Sequence, residues 1–489
     1  MESREDFLNI YETIRLEVGN YDGTAVIDRG QRRSYPELFE KVERLKTELP
    51  RLGLRPFSRV GLLADDSCEY IAASLAILAM NAALVPVSTR TTAAERDVIP
   101  EKLALNFQIC SREYAQKSDL PIPGLDGFFL RPLKKEIEPI PLPDGRVPAF
   151  IRFSSGTTGD NKGVVISHRA VIERTSCCTA LRVERGDSVF WVLDMAFHFV
   201  VTILLFLRRA AVIVLCGQPL MEKMVRAFRD YPLNLLYATP YHYRLMTYSD
   251  EFSRESLSKV RRAFSTAMKL ENADAEAFER KFGFQLTQAY GIIEVGLPCV
   301  NSSAKKDSVG RLQEAYEVRI ADPDVQGIGR ILLRGPGMFD AYLSPFRLRA
   351  EVCPDGWFDT GDLGYLDSER DLFIVGRSKN VINFAGMKIF PYEVESVLNA
   401  HAWVRESRVT PKPFPGFGEV PVAEIVPVSP GSLPENWREL LRRHCFANLA
   451  EYKVPKNFEL VDSIPHTPSG KIIRQKPTER IHEYAARKT

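Results

Sequence analysis

The run FSSGTTGDNKGVVISH, Phe153 to His168, places three glycines, four hydroxyl side chains and a lysine in its first eleven residues. Backbone N–H groups, hydroxyl donors and one cation are the equipment for holding a phosphate chain. The nucleotide P-loop, G-x-x-x-x-G-K-[ST], is the first comparison, and spacing rejects it. Counting from Gly156, the second glycine position is Asn161, and Lys162 is followed by Gly163.

Four other runs carry reactive side chains. QAYGIIE, Gln288 to Glu294, packs an aromatic, a glycine and a carboxylate within five residues. FDTGDLGYLD, Phe358 to Asp367, holds Asp362 in a turn-forming context. GRSKNVINFAGMKIFPYEVE runs from Gly376 to Glu395, and PHTPSGKIIR presents Lys471 just after a Pro–Ser–Gly turn. Singly, each has an ordinary reading: a flexible loop, a strand-to-loop junction, a turn, a solvated lysine. Five in this order over some 320 residues require one explanation.

The elements that position them follow from periodicity. Leu38, Val42, Leu45 and Leu49 give a helical stripe. Arg59–Ala64 and Ala83–Val87 read as strands, the second short or at an edge because of Pro86. Apolar runs at Val189–Leu193, Ala211–Leu215 and Leu235–Ala238 alternate with helical patterns, which predicts parallel sheets with crossover helices. Ser167 is placed to cap the next helix. The Pro-rich stretch Leu120–Pro148 reads as a surface connection. Past Gly376 the texture becomes a compact α+β unit, with a strand pair near Val381–Ile389, a helix from Pro391 and another at Glu435–Asn448. A boundary at Ser378–Lys379 leaves residues 1–378 and 379–489.

Composition excludes several classes. Sixty-five basic against sixty-three acidic residues leave +2, so no nucleic-acid or membrane-surface field is expected. Ile71–Val87 is too short to span comfortably and Phe199–Cys216 carries Arg208 and Arg209, so both read as buried α/β elements and no transmembrane segment is expected. Eight cysteines without C-x-x-C spacing argue against zinc and a disulfide framework, and point to a reducing, cytoplasmic setting.

Taken together, DTGDLGYLD, GRSKNVI with its following G, I, P and EVE, and TPSGKIIR resemble the acyl- and aryl-CoA synthetase branch of the adenylate-forming superfamily. The resemblance runs from Tyr35-Pro-Glu-Leu38 to the tail. It implies an α/β fold: a large N-terminal part of parallel-rich sheets flanked by helices, a β-barrel-like subdomain, and a small mobile α+β C-terminal domain. It also implies a reaction in two halves. A carboxylic acid and ATP give acyl-AMP and pyrophosphate, with Mg²⁺, and the acyl group then passes to coenzyme A or to a carrier-protein phosphopantetheine. On this resemblance Ser154, Ser155, Gly156, Thr157, Thr158, Gly159 and Lys162 hold the β- and γ-phosphates. Gln288, Ala289, Tyr290 and Gly291 surround the adenine, and Glu294 holds the metal. Asp362 and Arg377 hold the ribose, and Lys471 bridges carboxylate and α-phosphate. Lys379 is the hinge about which the small domain turns, delivering the Phe384-Ala385-Gly386 loop where the thiol passes. His198 and Phe199, with Ala267, Gly291 and Ile292, line the acid pocket.

Three departures stand out. Ile293 replaces the family's threonine, a donor to the α-phosphate, so the rate is lower or a neighbour substitutes. Ser265–Leu270 reads STAMKL where the family has a glycine-rich turn. Phe199, with Val200, Val201, Ile203 and Leu204, offers no charge for an ammonium group, which favours a fatty or aryl acid over an amino acid unless Asp194 turns inward. Two alternatives are a ligase that loads an acyl carrier protein and a degenerate homologue that binds without turnover. Either a monomer or a homodimer is compatible with the sequence.

Overall fold

The computed structural model describes residues 9–474, excluding 135, 155–161, 304, 386, 416–417, 430, 432 and 468–470 and, at Ser154, giving the backbone alone. Two large sheets dominate, the first mainly parallel and the second with a parallel centre flanked by antiparallel strands. In the first, Leu286–Ile292, Arg262–Ser265, Leu235–Ala238, Ser188–Trp191, Val212–Leu215 and Thr24–Asp28 lie side by side, with antiparallel strands Gly296–Val300 and Gln31–Ser34 at its edges. The second contains Lys162–Ser167, Pro148–Ser154, Ala83–Val87, Arg59–Leu63 and Phe107–Ser111. Helix Tyr35–Arg51 buries Leu38, Val42, Leu45 and Leu49 and starts in a capping box between Ser34 and Glu37. Helix Cys68–Ala79 is apolar on every side because it is enclosed on every side.

Two expectations are corrected. Ala83–Val87 lies inside its sheet rather than at an edge, with parallel neighbours on both sides and every residue buried. Its pairing with Pro148–Ser154 is registered at Leu84 alone, so the ladder on that side stops before Pro86, which has no N–H to give. Part of the Leu120–Pro148 connection is strand. Phe128–Pro132 pairs antiparallel with Phe107–Ser111, and Leu120–Pro121 adds outside it. The alternation of buried Phe128 and Leu130 was hidden among nearby prolines, of which Pro121 lies on the edge strand that tolerates it.

A third sheet is wholly antiparallel: Ser308–Gly310, Leu372–Arg377, Phe358–Leu366, Gly329–Arg334 and Glu317–Ala321. After the short turn Ser378–Asn380 a separate hydrophobic core begins, built on Ile382, Ile389, Val394, Leu398, Trp437, Leu441 and Phe458. Its sheet joins Met387–Ile389, Ile382–Phe384, Gly418–Pro427, Val404–Phe414 and Asn457–Leu460. Among the described residues no helix is long and apolar enough to cross a membrane. Phe199–Cys216 resolves into a π turn at Phe199–Ile203, helix Leu204–Arg208 and strand Val212–Leu215, with Arg208 paired to Glu17.

Candidate active site

Asp362 is the best-defined anchor. It lies mid-strand rather than in a free turn, although a turn is embedded there. The register jumps from Leu332↔Asp359 to Arg330↔Leu363, which leaves Thr360, Gly361 and Asp362 in a bulge. Gly361 has φ +69°, Thr360 donates its hydroxyl to the Ile331 carbonyl at 2.8 Å, and the Asp362 N–H donates to Thr360 Oγ1 at 3.0 Å. The Asp362 carboxylate accepts from Arg377 Nε at 2.7 Å on one oxygen and from the Tyr290 hydroxyl at 2.6 Å on the other. Burial raises its pKa, while Arg377, Tyr290 and Lys471 pull the other way. Tyr290, Asp362 and Arg377 therefore form one cluster joining the first and third sheets.

Lys471 reaches the same volume from the second core. It opens onto solvent along the cleft, yet the protein walls around its ammonium lower its pKa to about 8. Arg377 and Arg152 add to that effect, and Asp362 and Glu294 oppose it. Its position is fixed by bonds that the sequence motif only hinted at. The Thr467 N–H donates to the Lys471 carbonyl at 2.8 Å, and the Lys471 N–H returns to Thr467 Oγ1 at 3.0 Å. Three residues on, Arg474 forms a bidentate pair with the buried Glu395 at 2.5 and 2.7 Å. Glu395 is the last residue of the EVE run, and its second task is to accept from the Val409 N–H at 2.7 Å. The acid and the arginine were both visible as motif residues; their pairing across 79 positions was not.

Glu294 and Lys162 meet through one aromatic ring. The Tyr342 hydroxyl donates to Glu294 Oε1 at 3.3 Å, and the Lys162 ammonium lies 4.7 Å from the Tyr342 ring centre. Lys162 pairs with Ser154 in register, so the two ends of the phosphate-type loop are held together by a strand pair. The expected residues Ser155, Gly156, Thr157, Thr158 and Gly159 lie outside the described residues, as do Gly386 and the side chain of Ser154. Just after Tyr290, Gly291 has a local reason to be glycine. A Cβ there would meet the Gly296 carbonyl oxygen at 2.6 Å, so the tight approach is to the adjoining strand. Gln288 pairs with Ser265, while the Ala289 side chain belongs to the main core.

His198 ends a short helix, Met195–His198, directly before the π turn, an irregularity common beside functional sites. Its imidazole meets Trp191 edge-on at 6.2 Å. Burial, then Arg152 and Lys471, lower its pKa to about 3, so the ring is neutral at physiological pH. Phe199 is fully buried against Tyr70 at 6.1 Å. Asp194 caps its own helix: Oδ1 accepts from the Ala196 N–H at 2.8 Å and Oδ2 from the Ser88 hydroxyl at 2.5 Å. Ala267 takes φ +70° in the STAMKL turn, a left-handed conformation that glycine adopts without cost. Ile292 and Ile293 are half-buried against the main core, and the Ile293 carbonyl accepts from buried Arg174 at 3.0 Å. Lys379 is exposed in the turn Ser378–Asn380 and Ala385 is exposed at φ +49°. Beyond the turn Ser378–Asn380, Ser396 donates to Glu271 at 2.7 Å, linking the second core to the first sheet's side of the molecule.

This arrangement brings a tyrosine, a carboxylate, an arginine and a lysine from the second core to one cleft, with a second carboxylate and lysine beside it. Residues 17–343 match the AMP-binding enzyme family, and residues 393–471 match the AMP-binding enzyme C-terminal domain. The chain belongs to the AMP-binding enzymes. It falls in the acyl- and aryl-CoA synthetase branch of the adenylate-forming superfamily. It is 26% identical to a probable CoA ligase of Humulus lupulus, over 91% of this chain and 88% of that one. It is 28% identical to a fatty acid–[acyl-carrier-protein] ligase of Streptomyces coeruleorubidus, over 95% and 94% of the two chains. Among solved structures, ATP-bound MatB from Rhodopseudomonas palustris aligns at a TM-score of 0.82, 22% identity and 97% and 98% coverage, which shows the shared fold.

Proposed function

We propose that this AMP-binding enzyme is an ATP-dependent carboxylate–thiol ligase acting on a fatty or aryl acid, with coenzyme A as the acceptor. The observation that carries the reading is the entry of Lys471, from the unit after Ser378, into the electrostatic field of Asp362, Arg377 and Glu294. On this reading residues 1–378 bind nucleotide and acid, and residues 379–489 form a lid that moves about Lys379.

In the first half-reaction a carboxylate oxygen attacks the α-phosphorus, the α–β bridging bond breaks, and pyrophosphate leaves with the electron pair. Asp362 accepts from the ribose hydroxyls on lone pairs not used by Tyr290 and Arg377. Lys471 holds the attacking oxygen against the α-phosphate, and a contact of this kind supplies roughly a hundredfold in rate. Lys162 and the 154–159 loop hold the leaving pyrophosphate. Glu294 fits the hard-cation mode in which Mg²⁺ takes one or two carboxylates and completes its shell with phosphate oxygens and water. It brings one carboxylate, with a single long hydrogen bond from Tyr342. When bound, that ion neutralises charge on the phosphate oxygens. In the second half-reaction the thiolate sulfur attacks the acyl carbon, the acyl–phosphate bond breaks and AMP leaves. Rotation of the lid withdraws Lys471 and brings up Ala385 and Gly386.

Support for an apolar acid comes from Phe199, Val200, Ile203 and Leu204, all buried, and from Asp194, whose two oxygens are committed to Ala196 and Ser88. Cytoplasmic location and a monomer or homodimer accompany this proposal. ATP–pyrophosphate exchange with octanoate, benzoate and their relatives against a panel of α-amino acids tests it. Exchange with the amino acids and silence with the hydrocarbon acids refutes the substrate class. Transfer to a carrier-protein phosphopantetheine with none to coenzyme A would replace the acceptor. The Lys471→Ala variant should lose acyl-AMP formation while still passing acyl from supplied acyl-AMP to thiol.

A further inference from the structure

Arg152 is half-buried, and among the described residues its guanidinium makes no hydrogen bond. It lies on strand Pro148–Ser154, two residues before the phosphate-type loop, among neighbours that point alternately to opposite faces. Ile151 and Phe153 pack into the small core that includes Val85 and Val165, which leaves Arg152 on the other face. Its guanidinium carbon lies 5.2 Å from the centre of the Phe197 ring. Nε is shut off from solvent without a hydrogen-bond partner. Arg59 and Arg146 also leave Nε unpaired, but each holds an oxygen through a terminal nitrogen: Arg59 the Glu138 carbonyl at 3.4 Å, Arg146 the Asp340 carboxylate at 2.6 Å. Among the described residues Arg152 has no such bond. Holding a half-buried guanidinium with its Nε desolvated and no anion beside it is unfavourable, and its terminal N–H groups are left for an anion to arrive.

The surroundings show where it would arrive. Glu294 and Asp194 attract Arg152 from beyond bonding distance, while His198 and Lys471 both sense its charge. Arg152 and Lys471 thus lie within electrostatic range of each other and of Glu294 and His198. Position 293, where the family resemblance expects a donor to the α-phosphate, is an isoleucine packed against the core. Resting on the ligase reading above, we propose that Arg152 is a catalytic residue that donates N–H to a non-bridging α-phosphoryl oxygen, the contact Ile293 cannot make. It remains protonated throughout. Its donors strengthen as negative charge grows on that oxygen during attack of the carboxylate and departure of pyrophosphate.

The test uses the full chain with Arg152→Met, Ile293→Thr and the double variant. By calorimetry, Arg152→Met should weaken AMP binding by about tenfold or more while leaving adenosine binding unchanged, because only AMP carries the phosphate. Pyrophosphate exchange should fall by about a hundredfold in kcat. Ile293→Thr added to Arg152→Met should restore about a tenth of wild-type exchange or more. The melting temperature of Arg152→Met should hold or rise, since an unpaired charge has been replaced by an apolar chain of similar length. Equal AMP and adenosine affinities in wild type and variant overturn the proposal. So does a fall in melting temperature with unchanged AMP binding, which would make Arg152 structural. Loss of exchange confined to acids with a second anionic group also overturns it, and assigns Arg152 to the substrate's far end. Wild-type silence in exchange with every acid counts against the ligase reading, while the AMP-to-adenosine comparison still decides the role of Arg152.

Discussion

The ammonium of Lys471 should set the alkaline limit of the first half-reaction. Its pKa falls from the ordinary lysine value to about 8 because the cleft walls partly desolvate it and because Arg377 and Arg152 repel its charge. With that value the side chain is about nine-tenths charged at pH 7, half charged at about pH 8 and about one-tenth charged at pH 9. The pH dependence of kcat/KM reports ionisations of the free enzyme. Pyrophosphate exchange, read as kcat/KM for ATP, should therefore drop about tenfold between pH 7 and pH 9. His198, whose pKa is held down at about 3, adds no acid limb between pH 5 and 7. Lys471→Arg provides the internal control: guanidinium stays charged across this range, so exchange in that variant should be slower but flat to pH 9. Thioester formation from supplied acyl-AMP should instead rise over the same interval as the thiol ionises. A wild-type profile flat through pH 9, or an alkaline limb that survives in Lys471→Arg, refutes the assignment of the limb to Lys471.

Other outcomes follow from the same geometry. Lys379→Pro, which fixes φ near −65° in the turn Ser378–Asn380, should leave exchange near wild type and slow thioester formation; unimpaired overall turnover would move the hinge elsewhere. Ile293→Thr should preserve or raise the adenylation rate, at a stability cost of about 1 kcal/mol for lost apolar contact; a severe activity loss would show that the side chain serves packing alone. Tyr290→Phe removes the 2.6 Å bond to Asp362 and should lower unfolding free energy by about 1–3 kcal/mol, seen as a lower thermal midpoint at neutral pH. Because burial raises the Asp362 pKa, that loss should shrink as the carboxylate is protonated at acid pH; an equal loss at every pH would mean the bond is not charge-assisted.

Local signals carried much of the fold and most of the site. The Leu38–Leu49 stripe, the Ser167 cap and the Pro391 helix start depend on neighbours a few residues away, and each is found where its spacing puts it. Ala83–Val87 was misplaced because a proline reports on its own N–H and says nothing of which side of the strand is paired. Asp362 was legible as a motif acid, but its setting in a bulge depends on register with Arg330 and Leu332 on another strand. Glu395, Arg174 and Tyr342 escaped notice as positioning residues for one reason. Each acts on a residue 48 to 119 positions away, or 79 for Glu395, and no periodicity spans such distances. Arg152 escaped for the opposite reason: its signal is a missing partner, which only coordinates can show.

The Glu395–Arg474 pair has a consequence for timing. It clamps Arg474, three residues after Lys471, to the body of the second core, so on the proposed reading the lysine is cargo on that core. If the proposed lid rotation occurs, it removes the lysine in the same stroke, and the two half-reactions become mutually exclusive positions of one switch. Cutting the clamp would let the lysine linger or stray independently of that core, and the order of the two steps would no longer be guaranteed by mechanics.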